Sequence, residues 1–357
     1  MTSTVEIDQA KLEAFTNQVF GDLSASYGAV MASLGVRLGL YETLAGAGPL
    51  TPDELAERTD CAERYVREWL NSQVAGGYLD YQPNTQTYEM SPEQAAVLVD
   101  RTSPALMAPA FHVVASLWNG EDRAIEAFRT GAGVPWGDHH ERLFCGVAAF
   151  FRAGYSASLV PDWLPALDGV VERLEAGAAV ADIGCGHGHS TVLMAEAFAN
   201  SKFVGLDVHA GSIAAAREVA EEAGVADRVT FDVANAEEYE ASDGGFDLIC
   251  FFDALHDLGD PVAAARHARS RLADGGTLML VEPNAADSVE GNIGPIGRLY
   301  YGASTMLCTA HAISEGGEGL GAQAGEARLA RVFAEAGFGH WRRATETPFN
   351  LILEARA

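Results

Sequence analysis

Two stretches of this chain combine residue types and spacings that suit chemistry. The first is Asp182-Ile183-Gly184-Cys185-Gly186-His187-Gly188, between a strand-like segment (180–183) and a helix-like one (190–199). Glycines in such a turn let the backbone bend tightly and come close to a ligand. Asp207 ends the next strand, roughly 20 residues on, where an acid can hold ribose hydroxyls. The spacing is Gly-x-Gly-x-Gly after an acid, whereas the dinucleotide fingerprint would need Gly or Ala where His189 stands. The second stretch is Phe252-Asp253-Ala254-Leu255-His256-Asp257, which follows another strand. Ligands bind at that end of an open α/β sheet, and histidine is the usual proton carrier near neutral pH.

These residues need a scaffold. From about 178, strand-like segments (180–183, 203–207, 229–232, 246–251, 277–281) alternate with amphipathic helical ones (190–199, 212–223, 261–272, 327–336). That alternation predicts a doubly wound, mostly parallel α/β sheet covered on both faces. Segments 341–345 and 350–354 read as two last strands. Residues 284–325, rich in glycine and small residues, read as a lid or an irregular insertion. The predicted domains are 1–100, a helical connecting layer at 101–170, and 171–357.

The motifs, taken in order, resemble class I S-adenosylmethionine methyltransferases over about 175–357. The resemblance implies S-adenosylmethionine as cofactor. Asp182, Gly184 and Gly186 stand at its first motif, where the acid lies near the cofactor's amino group. Asp207 and Val208 stand at its ribose and adenine contact. Asn235 and Ala236 stand at the adenine edge, with Asn235 where the family usually has an acid, and Phe252 stands in the active-site loop. Leu255-His256-Asp257-Leu258 resembles the Leu-His-Asp-Trp segment whose histidine is the base in caffeate-type O-methyltransferases, with Leu258 replacing the tryptophan. His256 is therefore the expected base. An oxygen acceptor on a small molecule is expected, with sulfur or nitrogen as the alternative. A cyclase-like member that transfers no methyl group would carry the same loop.

The N-terminal part reads as a winged helix. Thr51-Pro52-Asp53-Glu54 is a capping box with proline at the first helical position. A second helix spans 62–75, Gly76-Gly77 ends it, and 78–81 and 87–90 flank a turn. That pattern raises a rival reading, a DNA-binding regulator with a vestigial methyltransferase fold. From 51 to 90, however, eight acids face three arginines, and DNA binding needs a basic footprint. The resemblance implies that this domain serves dimerisation and pocket closure, so a homodimer is expected. Earlier still, apolar residues recur at helical spacing (Phe15, Val19, Phe20, Leu23, Val30, Leu34, Leu38).

The formal net charge of −27 over 357 residues disfavours nucleic acid and anionic membranes as partners. No unbroken apolar run reaches about 18 residues, so no membrane span is expected. Residues 1–6 lack a basic patch before an apolar stretch, so no secretory signal is expected. The five cysteines are scattered, with no Cys-x-x-Cys pair, which fits a cytoplasmic setting without a metal site. Asp138, His139 and His140 could be imagined around a metal, but the sequence fixes no further ligand to complete such a site, and none is expected. The acceptor pocket is expected to draw on His112, His139, Tyr301 and His311, with Tyr300 and Glu282 as further wall residues.

Overall fold

The computed structural model describes residues 7–241 and 244–357, so the reading of 1–6 lies outside the described residues. The chain divides into two compact units, one ending at Ala115 and one running Ser116–Ala357.

The first unit opens with the helix Gln9–Arg37, which Asp8 caps by accepting from the amides of Ala10 and Lys11. Its buried residues are small: Ala32, Ser33 and Gly35. A Cβ at Gly35 would meet the Trp69 and Tyr41 rings at 2.5 and 2.6 Å, so the helix approaches them as only glycine allows. Trp69 Nε1 donates to the Met31 carbonyl at 2.8 Å. The apolar stripe expected from the sequence faces outward instead; Phe15, Phe20 and Val30 are 63%, 72% and 53% exposed. The helix Pro52–Thr59 carries the expected capping box between Thr51 and Glu54. The helix Glu63–Ala75 buries Val66, Trp69 and Leu70. Strands β1 (Asp80–Gln82) and β2 (Thr87–Glu89) pair antiparallel as the wing.

The second unit holds a seven-stranded sheet. In chain order its strands are β3 (Ala179–Ile183), β4 (Lys202–Asp207), β5 (Val229–Val233), β6 (Phe246–Phe252), β7 (Leu272–Pro283), β8 (His340–Glu346) and β9 (Asn350–Arg356). In space they run β5-β4-β3-β6-β7-β9-β8. β3 to β7 pair in parallel, and β9 lies antiparallel between β7 and β8. The order reverses between β3 and β6, which makes their carboxyl ends the expected ligand crevice. One apolar layer, including Leu159, Trp163, Val180 and Phe203, covers one face; another, including Ile183, Ile249, Leu280 and Phe333, covers the other.

One expectation needs correction. The segment 284–325 is not irregular: it contains the helices Pro295–Met306 and Cys308–Ser314. Five of its nine glycines follow the helices, two precede them and two lie inside Pro295–Met306, while Leu299, Tyr300, Met306 and Leu307 give the helices an apolar side. Two helical stretches, Gln9–Arg37 and Arg142–Ala166, are also long and apolar enough to cross a membrane by length and composition. Counting unbroken apolar residues misses them because Ser, Gly and a few charged residues interrupt both. Arg142–Ala166 places Tyr155, Leu159, Trp163 and Leu164 in the core of the second unit.

Candidate functional site

The glycine loop joins β3 to the helix His189–Ala197. The amides of Gly184 and Cys185 both donate to the Leu206 carbonyl, which pins the loop to β4. Gly188 sits at φ +72°, where a Cβ would meet the Phe231 ring at 2.5 Å. Gly186 also has positive φ, +52°, but nothing lies within 4 Å of where its Cβ would be. Gly188 thus closes the packing, and Gly186 leaves a bare backbone surface that a ligand can approach. A Cβ on Gly184 would stand 2.6 Å from that of Ala254, so the loop abuts the segment after β6.

Asp182 is wholly buried, and its Oδ2 accepts from Ser190 Oγ at 2.6 Å and Thr191 Oγ1 at 2.7 Å. Its Oδ1 is buried with no hydrogen-bond partner. Burial pushes its pKa up to about 6, against the two hydroxyl hydrogen bonds. Asp207 accepts from the Gly186 amide at 2.9 Å and the His209 amide at 2.8 Å, so it braces the loop. Each carboxylate oxygen retains a further lone pair for a hydroxyl. Val208 beside it is 47% exposed, and Asn235 is exposed with its Oδ1 engaged by the Glu237 amide. Ala236 is buried under Leu206 and Tyr239. Burial also holds His189 down to about 4, so its imidazole is neutral at ordinary pH.

His256 lies on a single turn, Leu255–Asp257, just after β6, and is 4% exposed. Its Nδ1 pairs closely with Glu282 Oε2, and its amide donates to Glu282 Oε1 at 3.2 Å. Glu282 reaches it because β7 lies beside β6 in parallel register, and Glu282 is itself 1% exposed. Nε2 faces Asp257 Oδ1 at 3.2 Å. Burial opposes charge on this ring, but Glu282 and then Asp257 override it, and the imidazole pKa rises well above its ordinary value.

Asp253 directly follows Phe252, the last residue of β6, and takes φ +51°, a conformation that the sequence does not reveal. Its carboxyl accepts from Tyr155 Oη at 3.1 Å and from Asn350 Nδ2 at 2.8 Å. Burial, and then the charge of Glu282, push its pKa up to about 8. The Phe252 ring packs against Tyr155 at a centroid distance of 5.4 Å. Sequence reasoning missed Tyr155 and Asn350, because both reach Asp253 only through the fold.

The expected pocket histidines separate. His311 is buried, and its Nδ1 accepts from the Trp136 amide at 3.2 Å. His139 packs edge-on to Trp136, with its Nε2 buried and without a hydrogen-bond partner. Burial lowers its pKa, and the charges that act on it include His311 and Asp257, which places it near the His256 turn. Gly133, at φ +72°, explains how these segments meet: a Cβ there would strike the Ala310 carbonyl at 2.4 Å. His112 belongs to the first unit, outside the one that holds the glycine loop and His256. Tyr301 is 38% exposed, and its Oη accepts from Asn292 Nδ2 at 3.3 Å. Its neighbour Tyr300 is the buried one, and it feels the charges of Asp253 and His256. Helix phase separates the two adjacent tyrosines expected at the wall: Tyr300 is buried and Tyr301 is partly exposed.

Residues 174–337 match the family described as a methyltransferase domain. Residues 26–100 match the Rv2258c-like winged HTH domain. The chain carries a methyltransferase domain behind a winged helix-turn-helix domain. Within the methyltransferase domain lie the glycine loop, Asp207, His256 and Glu282. The chain is 36% identical over 108 residues to 27-O-demethylrifamycin SV methyltransferase of Amycolatopsis mediterranei, covering 30% of this chain and 39% of that protein. It is 35% identical over 99 residues to an uncharacterised Synechococcus protein, covering 28% of this chain and 24% of that one. The chain thus matches well under half the length of these curated relatives. Among solved structures, the mitomycin 7-O-methyltransferase MmcR superposes with a TM-score of 0.70 at 20% identity, covering 98% of this chain and 100% of that one. Human N-acetylserotonin methyltransferase, solved with S-adenosylmethionine, gives 0.68 at 16% identity, covering 100% and 99%. These likenesses establish the fold.

Proposed function

We propose that the protein transfers a methyl group from S-adenosylmethionine to an oxygen of a small molecule, with His256 as the base. The observation that carries this reading is the buried His256–Glu282 pair on the turn beside the glycine loop. The residues fit the cofactor. Gly186 leaves bare backbone, Asp182 Oδ1 is a buried acceptor without a partner, and Asp207 can accept from hydroxyls. Val208 and Asn235 are exposed where the resemblance expects the base of the nucleoside. When bound, the cofactor supplies a methyl group on a sulfonium, which is already activated. Positioning then does much of the work.

His256 removes the acceptor's proton through Nε2 in its neutral form, which the raised pKa confines to the alkaline side, so turnover is expected to rise with pH; Glu282 orients the ring and stabilises the imidazolium that forms. The Trp136 ring, with His139 and Phe144 packed edge-on to it, offers an aromatic surface that suits an aromatic or otherwise planar acceptor. The relatives support an O-methylation: one is named for a demethylrifamycin substrate, and another solved relative holds 1,4-dihydroxy-2-naphthoic acid. The test is methyl transfer to a panel of hydroxylated aromatics. Wild type is expected to turn over at least one of them, and His256→Ala to turn over none while still binding cofactor. Full turnover by the variant would remove His256 from the mechanism.

We further propose a cytoplasmic homodimer. All five cysteines are free, which suits a reducing compartment. The outward apolar stripe on Gln9–Arg37 is an exposed face that the same face of a second copy would cover. Sedimentation should give a dimer that Phe20→Glu converts to monomer; a monomeric wild type would contradict this. The net charge of −27 disfavours nucleic acid or an anionic membrane as a further partner.

A further inference from the structure

The proposed base and two side chains beside it converge, and the methylation reading uses neither of those two. His256 Nε2, a carboxylate oxygen of Asp257 and Cys308 Sγ all lie within 4.8 Å of one another. Among the described residues this is the one group of three or more His, Cys, Asp or Glu whose donor atoms meet so closely. Asp257 comes from the turn after β6, and Cys308 opens the helix Cys308–Ser314, so two separate elements build the cluster. Cys308 is 8% exposed and His256 4%, so these are not casual surface neighbours. Asp257 Oδ1 is buried and has no hydrogen-bond partner, although it stands 3.2 Å from Nε2.

We propose that His256, Asp257 and Cys308 form an inhibitory binding site for a zinc-class divalent cation. Nitrogen, oxygen and sulfur donors together favour zinc over magnesium or calcium, which take oxygen. Zinc bonds of about 2.0–2.3 Å in a tetrahedron set donors about 3.3–3.6 Å apart. The Nε2–Oδ1 pair, at 3.2 Å, lies about 0.1 Å short of that range, and Cys308 Sγ is within 4.8 Å of both. Glu282 on Nδ1 is the second requirement of a zinc-bound histidine. A carboxylate there fixes the tautomer and turns Nε2 toward the metal. Charge balances as well: the ion displaces the Nε2 proton and the Cys308 thiol proton, and two anionic ligands match its two positive charges. Asp257 is the least buried of the three, at 19%, and gives the ion its access.

The metal site stands on this geometry alone; its inhibitory effect rests on the reading of His256 as the base. An ion on Nε2 occupies the lone pair that would take the acceptor's proton. The experiment uses the full chain, stripped with chelator and titrated with Co2+. One equivalent should give the intense visible bands of tetrahedral cobalt and a thiolate-to-cobalt charge-transfer band. Cys308→Ser should lose the charge-transfer band. Cys61→Ser/Cys145→Ser, which removes the two more accessible thiols, should keep it. If Cys308→Ser misfolds, His256→Gln serves instead and should lose the tetrahedral spectrum. No band with saturating Co2+, or a band that survives in Cys308→Ser, would overturn the proposal. Methyl transfer by the stripped protein, measured in parallel, reports on the base assignment separately. Stoichiometric Zn2+ should abolish that turnover and chelator restore it; turnover unchanged by bound zinc would overturn the inhibitory role.

Discussion

Asp182→Asn gives a sharp test of the cofactor loop. Asp182 is buried with one oxygen unpaired, and its pKa stands at about 6 against an ordinary 3.8. The folded chain therefore holds this proton more firmly than the unfolded chain does. The resulting stability is fully present below 3.8 and is lost as pH rises through about 6. A shift of about 2 pKa units corresponds to roughly 3 kcal/mol, of which about 2 kcal/mol falls between about pH 4.5 and 7.5. Asparagine carries no such proton. Its new N–H2 group costs something in the apolar interior, but that cost does not vary with pH. The difference in unfolding free energy between wild type and Asp182→Asn should therefore shift by about 2 kcal/mol across that range, against wild type at the higher pH. Urea unfolding at a series of pH values measures it, and the other carboxylates cancel in the difference. The resemblance puts the cofactor's amino group near this acid. Saturating S-adenosylhomocysteine should then flatten the wild-type slope. Parallel pH profiles for the two free proteins would refute the reasoning.

Other outcomes follow from the same structure. His256→Gln should lower kcat by about 10²–10⁴ with S-adenosylhomocysteine affinity unchanged. Glu282→Gln should also lower kcat, and the double variant should be little worse than His256→Gln alone, since the pair acts as a unit. Multiplying losses in steady-state assays would contradict that. Glu354 is 1% exposed and pairs with Arg342 at 2.5 Å and Arg356 at 2.6 Å. Glu354→Ala should cost about 2–3 kcal/mol in urea unfolding, less than for a wholly buried pair because both arginines are partly solvated. A loss under about 0.5 kcal/mol would show that the β8–β9 edge does not depend on it.

The readable parts of this molecule were those set by local geometry. Glycines 184, 186 and 188 announce a strand-to-helix turn because each takes positive φ. Asp207 and His256 follow from their offsets past strand ends. The partners of these residues come from register and helix phase. Glu282 meets His256 because β7 lies beside β6, and Asn350 meets Asp253 across 97 residues of chain. Tyr300 and not Tyr301 faces inward for the same kind of reason. On Gln9–Arg37 the periodicity correctly marks an apolar face, but Gly35 and Ala32 take the inner side, so the stripe points outward. Composition gave no hint of the helices in 284–325, because glycines on either side of short helices look like a loop when counted together.

The central claim is that the loop around Gly186 holds S-adenosylmethionine. Calorimetric titration of the full chain with S-adenosylhomocysteine tests it most directly. The account expects one saturable site per chain in wild type. It expects that site to be lost in Gly186→Val, whose side chain would fill the space beside the loop at a strained φ of +52°, while the melting transition persists. Absence of binding by wild type, or equal binding by Gly186→Val, would contradict it.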